Sequence, residues 1–268
     1  MTDSAPGLTE TGSPVTIGID LGSRKAKFAI VGAGEQRLAD FDTITFYKRY
    51  GRLEQGELCL DLAATGIVSE EELAKARLVV TGYGRNTLNL RGAKVMSEIR
   101  AHVAGAIRQT GMRDFTLLDL GGQDTKVALV REGKLRDFVM NDKCAASSGR
   151  YLENMATILE VSLEELSSHW HDPVKLDATC GIFGESELIG QILQGHPVAR
   201  LCAGVNQTLV KRVLPMLHRF PSPDVIVTGG VALNGAFITL LEQELGHRAT
   251  IPAHPQHNGA IGCAYSTT

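Results

Sequence analysis

Residues 15–31, VTIGIDLGSRKAKFAIV, carry two apolar runs parted by a short polar stretch at Gly22. The pattern predicts strand, glycine turn and strand, a hairpin. Val79 and Val80 form the centre of a short buried strand ending at TGYGR. Over 94–110 the apolar positions Val95, Ile99, Val103 and Ile107 recur at four-residue steps, which is the face of an amphipathic helix. The opening pattern then returns at 115–130, FTLLDLGGQDTKVALV, again strand, Asp-x-Gly turn and strand. A turn at Glu132-Gly133 and one more strand lead to the segment NDKCAASSGR. Helices are expected over 151–161, 183–193 and 205–217, with Pro215 bending or ending the last. Residues 224–236 combine a buried strand, a Gly-Gly turn and a helix start, and a proline-rich loop and a short glycine-containing helix close the chain.

Alternating strands and helices describe an α/β protein, and the internal repeat narrows this further. Lys27 falls seven residues after Asp20, and Lys126 falls seven after Asp119, each pair spanning a glycine turn between apolar strands. A duplicated unit of this kind points to two lobes with a ligand in the cleft between them. The lobes are expected at 14–112 with 253–268, and at 113–252, after a flexible leader over 1–13.

Composition removes several function classes. The chain has 268 residues, 43% of them apolar and 21% charged, as in an ordinary globular protein. A formal charge of −3 leaves no basic surplus for nucleic-acid phosphates. The leader MTDSAPGLTETGSP lacks the basic region and apolar stretch of a secretory signal. With no apolar run of membrane-spanning length either, a cytoplasmic protein is expected. The 29 glycines exceed the usual share and suit tight turns or close approach of backbone to a ligand. Five cysteines, scattered and odd in number, read as reduced thiols.

The two turns suggest chemistry. Backbone N–H groups of a glycine turn can grip phosphate oxygens, here through Gly22, Ser23, Arg24 and Lys25, with Lys27 behind, and through Gly121, Gly122 and Asp124. Asp20 and Asp119 suit a Mg²⁺ ion held through water, and Gln123 suits the orientation of an attacking water. A third turn, TGGVALN, brings Gly229 and Gly230 into a position for close backbone approach to a nucleoside.

Phosphate loop, second phosphate loop and adenosine loop, in that order, resemble the actin, sugar-kinase and heat-shock-chaperone ATPase superfamily, whose lobes are ribonuclease H-like. Within it, the stretches GIDLGSRKAK, TGYGRNTL, LLDLGGQDTKV, MNDKCAASSGRYLENMA, TCGIFGESELI, VTGGVALN and PQHNGAIG are similar to the activators (component A) of 2-hydroxyacyl-CoA dehydratases and the ATPase subunits of benzoyl-CoA reductases. The resemblance implies an ATPase that passes a low-potential electron to a partner iron–sulfur enzyme and takes electrons from a ferredoxin or flavodoxin. By matching position it adds Asn234 and Gln256 to the nucleotide contacts. The chain departs from the family at Arg24, where a small Thr is usual. That side chain either points away or adds its own charge.

Cys144 and Cys180 each precede a predicted helix. On spacing alone either could be an inert buried thiol. The resemblance implies that they ligate a [4Fe–4S] cluster, which takes four thiolates, so that one cluster on the axis of a homodimer would be shared by two subunits. Cys59, Cys202 and Cys263 read as structural. The SHWHDP segment, with His169 and His171, reads as a surface loop. A small-molecule kinase of the same superfamily, or a nucleotide-dependent binding protein without a working cluster, are the alternatives.

Overall fold

The computed structural model describes residues 15–32, 34–54, 57–82, 90, 92–141, 148–177 and 181–266. The expected leader, Cys144 and Cys180 lie outside the described residues. The first sheet has the order β3-β2-β1-β6-β7. Its strands are β1 (Thr16–Leu21), β2 (Lys25–Gly32), β3 (Glu35–Asp42), β6 (Arg77–Gly82) and β7 (Ala93–Val95). The second has the order β10-β9-β8-β11, from β8 (Phe115–Leu120), β9 (Thr125–Arg131), β10 (Lys134–Asn141) and β11 (Val225–Gly229). A separate ribbon pairs β4 (Gly51–Glu54) with β5 (Glu57–Leu60).

The repeat seen in the sequence is a repeat of strand pairing. β1 and β2 are antiparallel with Asp20 opposite Lys27, and β8 and β9 are antiparallel with Asp119 opposite Lys126. It extends to a strand whose kinship the motifs did not suggest. β6 runs parallel to β1 with Thr81 opposite Asp20 and Gly82 opposite Leu21. β11 runs parallel to β8 with Thr228 opposite Asp119 and Gly229 opposite Leu120. Both glycines have positive φ, +96° and +88°, and press on the neighbouring strand, where a Cβ would lie 2.6 Å from Leu21 O and 2.1 Å from Leu120 O. No L side chain fits there, so TG recurs at both strand ends.

Helices cover both sheets, as near-continuous apolar central strands require. On one face of the first sheet lies α1 (Thr43–Tyr50), where the Phe46 ring packs tilted against Phe28 with centroids 5.4 Å apart. Its N-terminus is capped by Asp42. The short α2 (Glu70–Lys75) begins with a Ser69–Glu72 capping box. The outer face of the second sheet packs on α4 (Gly149–Ile158), α5 (Leu163–Leu166), α6 (Gly181–Leu193), α7 (Val198–Leu217) and α8 (Gly235–Leu245), in one apolar core centred on Met155, Leu209 and Phe237.

Two helices fill the space between the sheets. The apolar stripe of α3 (Glu98–Thr110), Ile99, Val103 and Ala106, shares a core with Phe115, Leu117 and Ile226 of the second sheet. α9 (Asn258–Ala264) lies on Ala29 of the first. They cross in backbone contact: a Cβ on Gly105 would lie 2.0 Å from Asn258 O, and one on Gly262 1.8 Å from Ala101 O. The chain's last helix thereby ties the two sheets together.

Several expectations need correction. The helix read from residue 94 begins at Glu98, because Lys94 and Val95 extend β7 beside β6. The helix read from residue 205 begins at Val198 and runs through Pro215, which sits in its last turn and so removes a bond only at the helix end. β3, α1, the β4–β5 ribbon and α2 escaped the pattern because they are short and half-exposed.

Candidate functional site

The turns that follow β1 and β8 meet at one cleft of about 500 Å³. Its walls include every residue singled out for a nucleotide, from the first loop, the second loop, Gly229, Gly230, Asn234 and Gln256. Chain segments far apart in sequence converge here because the two hairpins are copies of one unit.

The loops are closed identically. The Gly22 N–H donates to the Lys25 carbonyl at 3.1 Å, and the Gly121 N–H to the Asp124 carbonyl at 2.9 Å. Thr43 pins the first loop, donating its hydroxyl to the Gly22 carbonyl (2.8 Å) and its N–H to that of Arg24 (3.0 Å). The loop tips touch: a Cβ on Gly122 would lie 2.6 Å from Arg24 Cγ and 3.4 Å from Ser23 Oγ. Gln123 lies at the tip of the second loop, half-buried.

The second loop also caps a helix. The N–H groups of Gly149 and Arg150 donate to the carbonyls of Gly121 (2.9 Å) and Gly122 (3.0 Å), and the Ser148 hydroxyl donates to Gly122 O at 3.0 Å. These bonds satisfy the otherwise unpaired first N–H groups of α4. The sequence places the hairpin β9–β10 between this loop and the segment of Cys144; in the fold, the loop touches the helix after that segment directly.

Charge is concentrated and largely buried. Lys27 Nζ lies 3.3 Å from Asp20 Oδ2. Lys126 Nζ, almost fully buried, reaches Asp124 at 2.6 Å, Glu98 at 2.9 Å and Asp119 at 3.9 Å. The Thr228 hydroxyl donates to Asp119 Oδ1 at 2.7 Å. His102 Nδ1 approaches the same oxygen at 3.1 Å, an ionic contact whose direction falls outside hydrogen-bond geometry. Burial alone would raise the Asp119 carboxyl, but His102, Lys126 and Thr228 more than reverse it and hold it well below the ordinary value. Burial likewise works against charge on Lys126 and His102, and the surrounding carboxylates win in both, so both values are raised. At Asp124 burial dominates and the carboxyl moves up. Four carboxylates (Asp20, Glu98, Asp119, Asp124) thus face two ammonium groups. The site carries a negative excess of two, or of one with His102 protonated, and that suits a divalent cation. Among the described residues no group of three His, Cys, Asp or Glu stands close enough to enclose a metal directly.

The remaining residues differ in how far they are free to meet a ligand. Lys25 Nζ is held by Asp40 at 2.6 Å. Arg24 forms a two-pronged pair with Glu153 of α4, Nε to Oε1 at 3.1 Å and a terminal nitrogen to Oε2 at 2.6 Å. Asn234 is occupied at both ends of its amide: Oδ1 accepts from the Phe237 N–H at 2.8 Å as the α8 cap, and Nδ2 donates to Asn206 Oδ1 at 2.9 Å. Gln256 Nε2 lies opposite Gly230, 3.6 Å from where a Cβ would stand. Glu98, His102 and Glu153 were not singled out from sequence. Glu98 and His102 stand four apart beside the apolar stripe of α3, so a polar pair on an inward helix face was the available signal.

Outside the cleft, Cys202 and Cys263 are buried and Cys59 half-buried. His169 and His171 lie in an irregular segment beside Trp170. No described helix is long and apolar enough to cross a membrane.

Two such sheets, joined by crossed helices and facing each other across matched phosphate-type loops, define the actin, sugar-kinase and chaperone ATPase fold. A ROK family glucokinase from Streptomyces griseus shares that fold, with a TM-score of 0.51 over 93% of this chain and 98% of its own, at 16% identity. The chain belongs to the BadF/BadG/BcrA/BcrD ATPase family, which it matches over residues 17–266. It is 36% identical to the (R)-2-hydroxyglutaryl-CoA dehydratase activating ATPase of Acidaminococcus fermentans, covering 93% of this chain and 95% of that one. Its structure resembles the activator of the 2-hydroxyisocaproyl-CoA dehydratase from Clostridium difficile with bound ADPNP, with a TM-score of 0.80 at 31% identity, over 93% and 92% of the two chains.

Proposed function

We propose that this protein is an ATP-dependent reductive activator: a cytoplasmic homodimeric ATPase that hands a low-potential electron to an iron–sulfur dehydratase or reductase acting on a CoA thioester. A ferredoxin or flavodoxin supplies the electron. The observation that carries the reading is the direct bonding of the second phosphate loop to the start of α4, the helix that follows the Cys144 segment. Relatives with activator names over nearly the whole chain support it, and they disfavour the small-molecule kinase.

In this reading residues 14–112 with 253–268 form one lobe, 113–252 the other, and ATP lies between them. Gly22 and Gly121 spend their own N–H groups on closing the turns. The amides of Ser23, Arg24, Gly122 and Gln123 therefore face the phosphates. Asp20 and Asp119 would orient the waters of a Mg²⁺ ion, and the excess of carboxylates that Glu98 and Asp124 complete would hold it in place. Lys27 and Lys126 lie against Asp20 and Asp124 and offset part of that negative charge. Gln123 orients the attacking water, which then displaces ADP from the terminal phosphate. The apolar turn Gly229–Leu233 and Gln256 flank the nucleoside, with Asn234 fixing that turn through α8 instead of touching the base.

Cys144 and Cys180 would hold one [4Fe–4S] cluster between two subunits, which stores and releases a single electron. The described residues next to them fit such an anionic group. α6 begins immediately after Cys180, and its first turn abuts that of α4: a Cβ on Gly184 would lie 4.0 Å from Tyr151. The Cys180 segment runs into the N-terminus of α6 and the Cys144 segment precedes that of α4, and a helix N-terminus carries about half a positive charge. Nucleotide acts on that place by altering the loop carbonyls that hold α4.

Steady-state hydrolysis tests the nucleotide half of the proposal. Mg²⁺-dependent ATPase activity should fall by two orders of magnitude or so in Asp20→Asn. In Gln123→Ala, kcat should fall more than nucleotide affinity. Unchanged kcat in both variants would remove these residues from the chemistry.

A further inference from the structure

Arg24, read from the sequence as a departure from the family pattern, has a partner on α4. The loop that carries it is fixed from behind by Thr43, through the carbonyls of Gly22 and Arg24 itself. The side chain, half-exposed, passes over Gly122 of the opposite loop and ends on Glu153, one turn into α4. It therefore lies across the place where both loops converge, and it is the described side-chain ion pair that joins the first phosphate loop to α4. The helix is thus held from two sides, at its N-terminus by the carbonyls of the second loop and at Glu153 by the first loop's guanidinium.

We propose that Arg24 selects for a nucleoside triphosphate by exchanging partners: it holds Glu153 while the cleft lacks a terminal phosphate, and moves to that phosphate when ATP is bound. The proposal rests on the nucleotide reading of the cleft and adds to it the discrimination between ATP and ADP. A guanidinium fork matches two oxygens of a carboxylate or of a phosphate equally well, so the exchange preserves two charge-assisted bonds. A phosphate carrying two charges competes well against the single charge of the half-buried Glu153 carboxylate. ADP, without the terminal phosphate, offers nothing at that position and leaves the Arg24–Glu153 pair intact. After the exchange α4 keeps its core packing on the second sheet and its bonds to the second loop, but loses its ion pair with the first loop.

Titration calorimetry on the full chain, with ADP and with a non-hydrolysable ATP analogue, tests the proposal. Arg24 is exposed and Glu153 half-buried in the cleft wall, and neither belongs to an apolar core, so neither variant removes core packing. Glu153→Gln frees the guanidinium and should tighten the analogue about twofold to fivefold, the worth of an exposed ion pair, with ADP unchanged. Arg24→Thr should weaken the analogue roughly tenfold or more, again with ADP unchanged. If Glu153→Gln leaves the analogue's affinity where it was, or Arg24→Thr weakens ADP as much as the analogue, the exchange is refuted while the nucleotide site stands. If the wild-type chain binds neither nucleotide, the reading of the cleft falls with it.

Discussion

Lys126 is the charge that the cleft can least afford to lose. Its ammonium, nearly inaccessible to solvent, stands 2.6 Å from Asp124, 2.9 Å from Glu98 and 3.9 Å from Asp119. Lys126→Met keeps the length and apolar stem but leaves three carboxylates facing one another in a poorly hydrated place. Removing one partner of a buried ion pair costs about 3–5 kcal/mol. For a chain of this size that corresponds to a fall in Tm of roughly 6–20 °C. The cost is electrostatic, so two conditions should relieve it. Lowering the pH from 7 to 5 should return part of the loss, because burial moves the Asp124 carboxyl up and loss of the ammonium beside it moves it further in the same direction. Millimolar Mg²⁺ should return another part in the variant and less in the wild type, since the variant offers a larger negative excess. Thermal unfolding followed by circular dichroism, at both pH values and with and without Mg²⁺, reads all of this. A variant that melts within about 2 °C of the wild type at pH 7, with no response to Mg²⁺, would refute the charge assignment.

Gly229→Ala should destabilise the fold by about 3 kcal/mol or more, because its φ is +88° and the new Cβ would stand 2.1 Å from Leu120 O; a Tm loss under 3 °C would contradict the strand-end geometry. Stability should fall with acid in a particular window: the Asp119 carboxyl is lowered in the fold, so its contribution is complete above the unfolded value near pH 4 and is lost as pH falls below it. Asp119→Asn should flatten the acid limb of the unfolding curve. Burial pushes the Cys202 thiol up to about 11, so the folded chain should resist iodoacetamide at Cys202 while Cys59 is alkylated; rapid labelling of Cys202 would disprove its place in the core. Cys144→Ala and Cys180→Ala should each lose bound iron and weaken the dimer, whereas Cys202→Ala should keep both.

Much of this was legible in the chain because the chemistry is local and repeated. Asp20 with Lys27 and Asp119 with Lys126 are cross-strand partners in tight hairpins, so their spacing alone carried the geometry. The family resemblance read from the motifs agrees with the family match over residues 17–266. What escaped notice depends on pairing between distant segments. The kinship of β6 with β11 rests on a Thr-Gly at each strand end, a signal too short to stand out until both are seen beside an Asp strand. Glu98 and His102 belong to a helix whose apolar stripe was evident, but which sheet that stripe covers, and so which way its polar edge points, is a tertiary fact. The Arg24–Glu153 contact joins residues 129 positions apart and has no sequence signal at all.

The central claim is that a nucleotide in this cleft acts on iron held by Cys144 and Cys180. Anaerobically purified protein should carry about four irons per dimer. Its rate of iron loss to a chelator, followed with no nucleotide, with ADP and with a non-hydrolysable ATP analogue, tests that claim most directly. The account predicts a rate that differs clearly with the analogue and scarcely with ADP. Protein without iron, or one that loses it at the same rate in all three states, would contradict it.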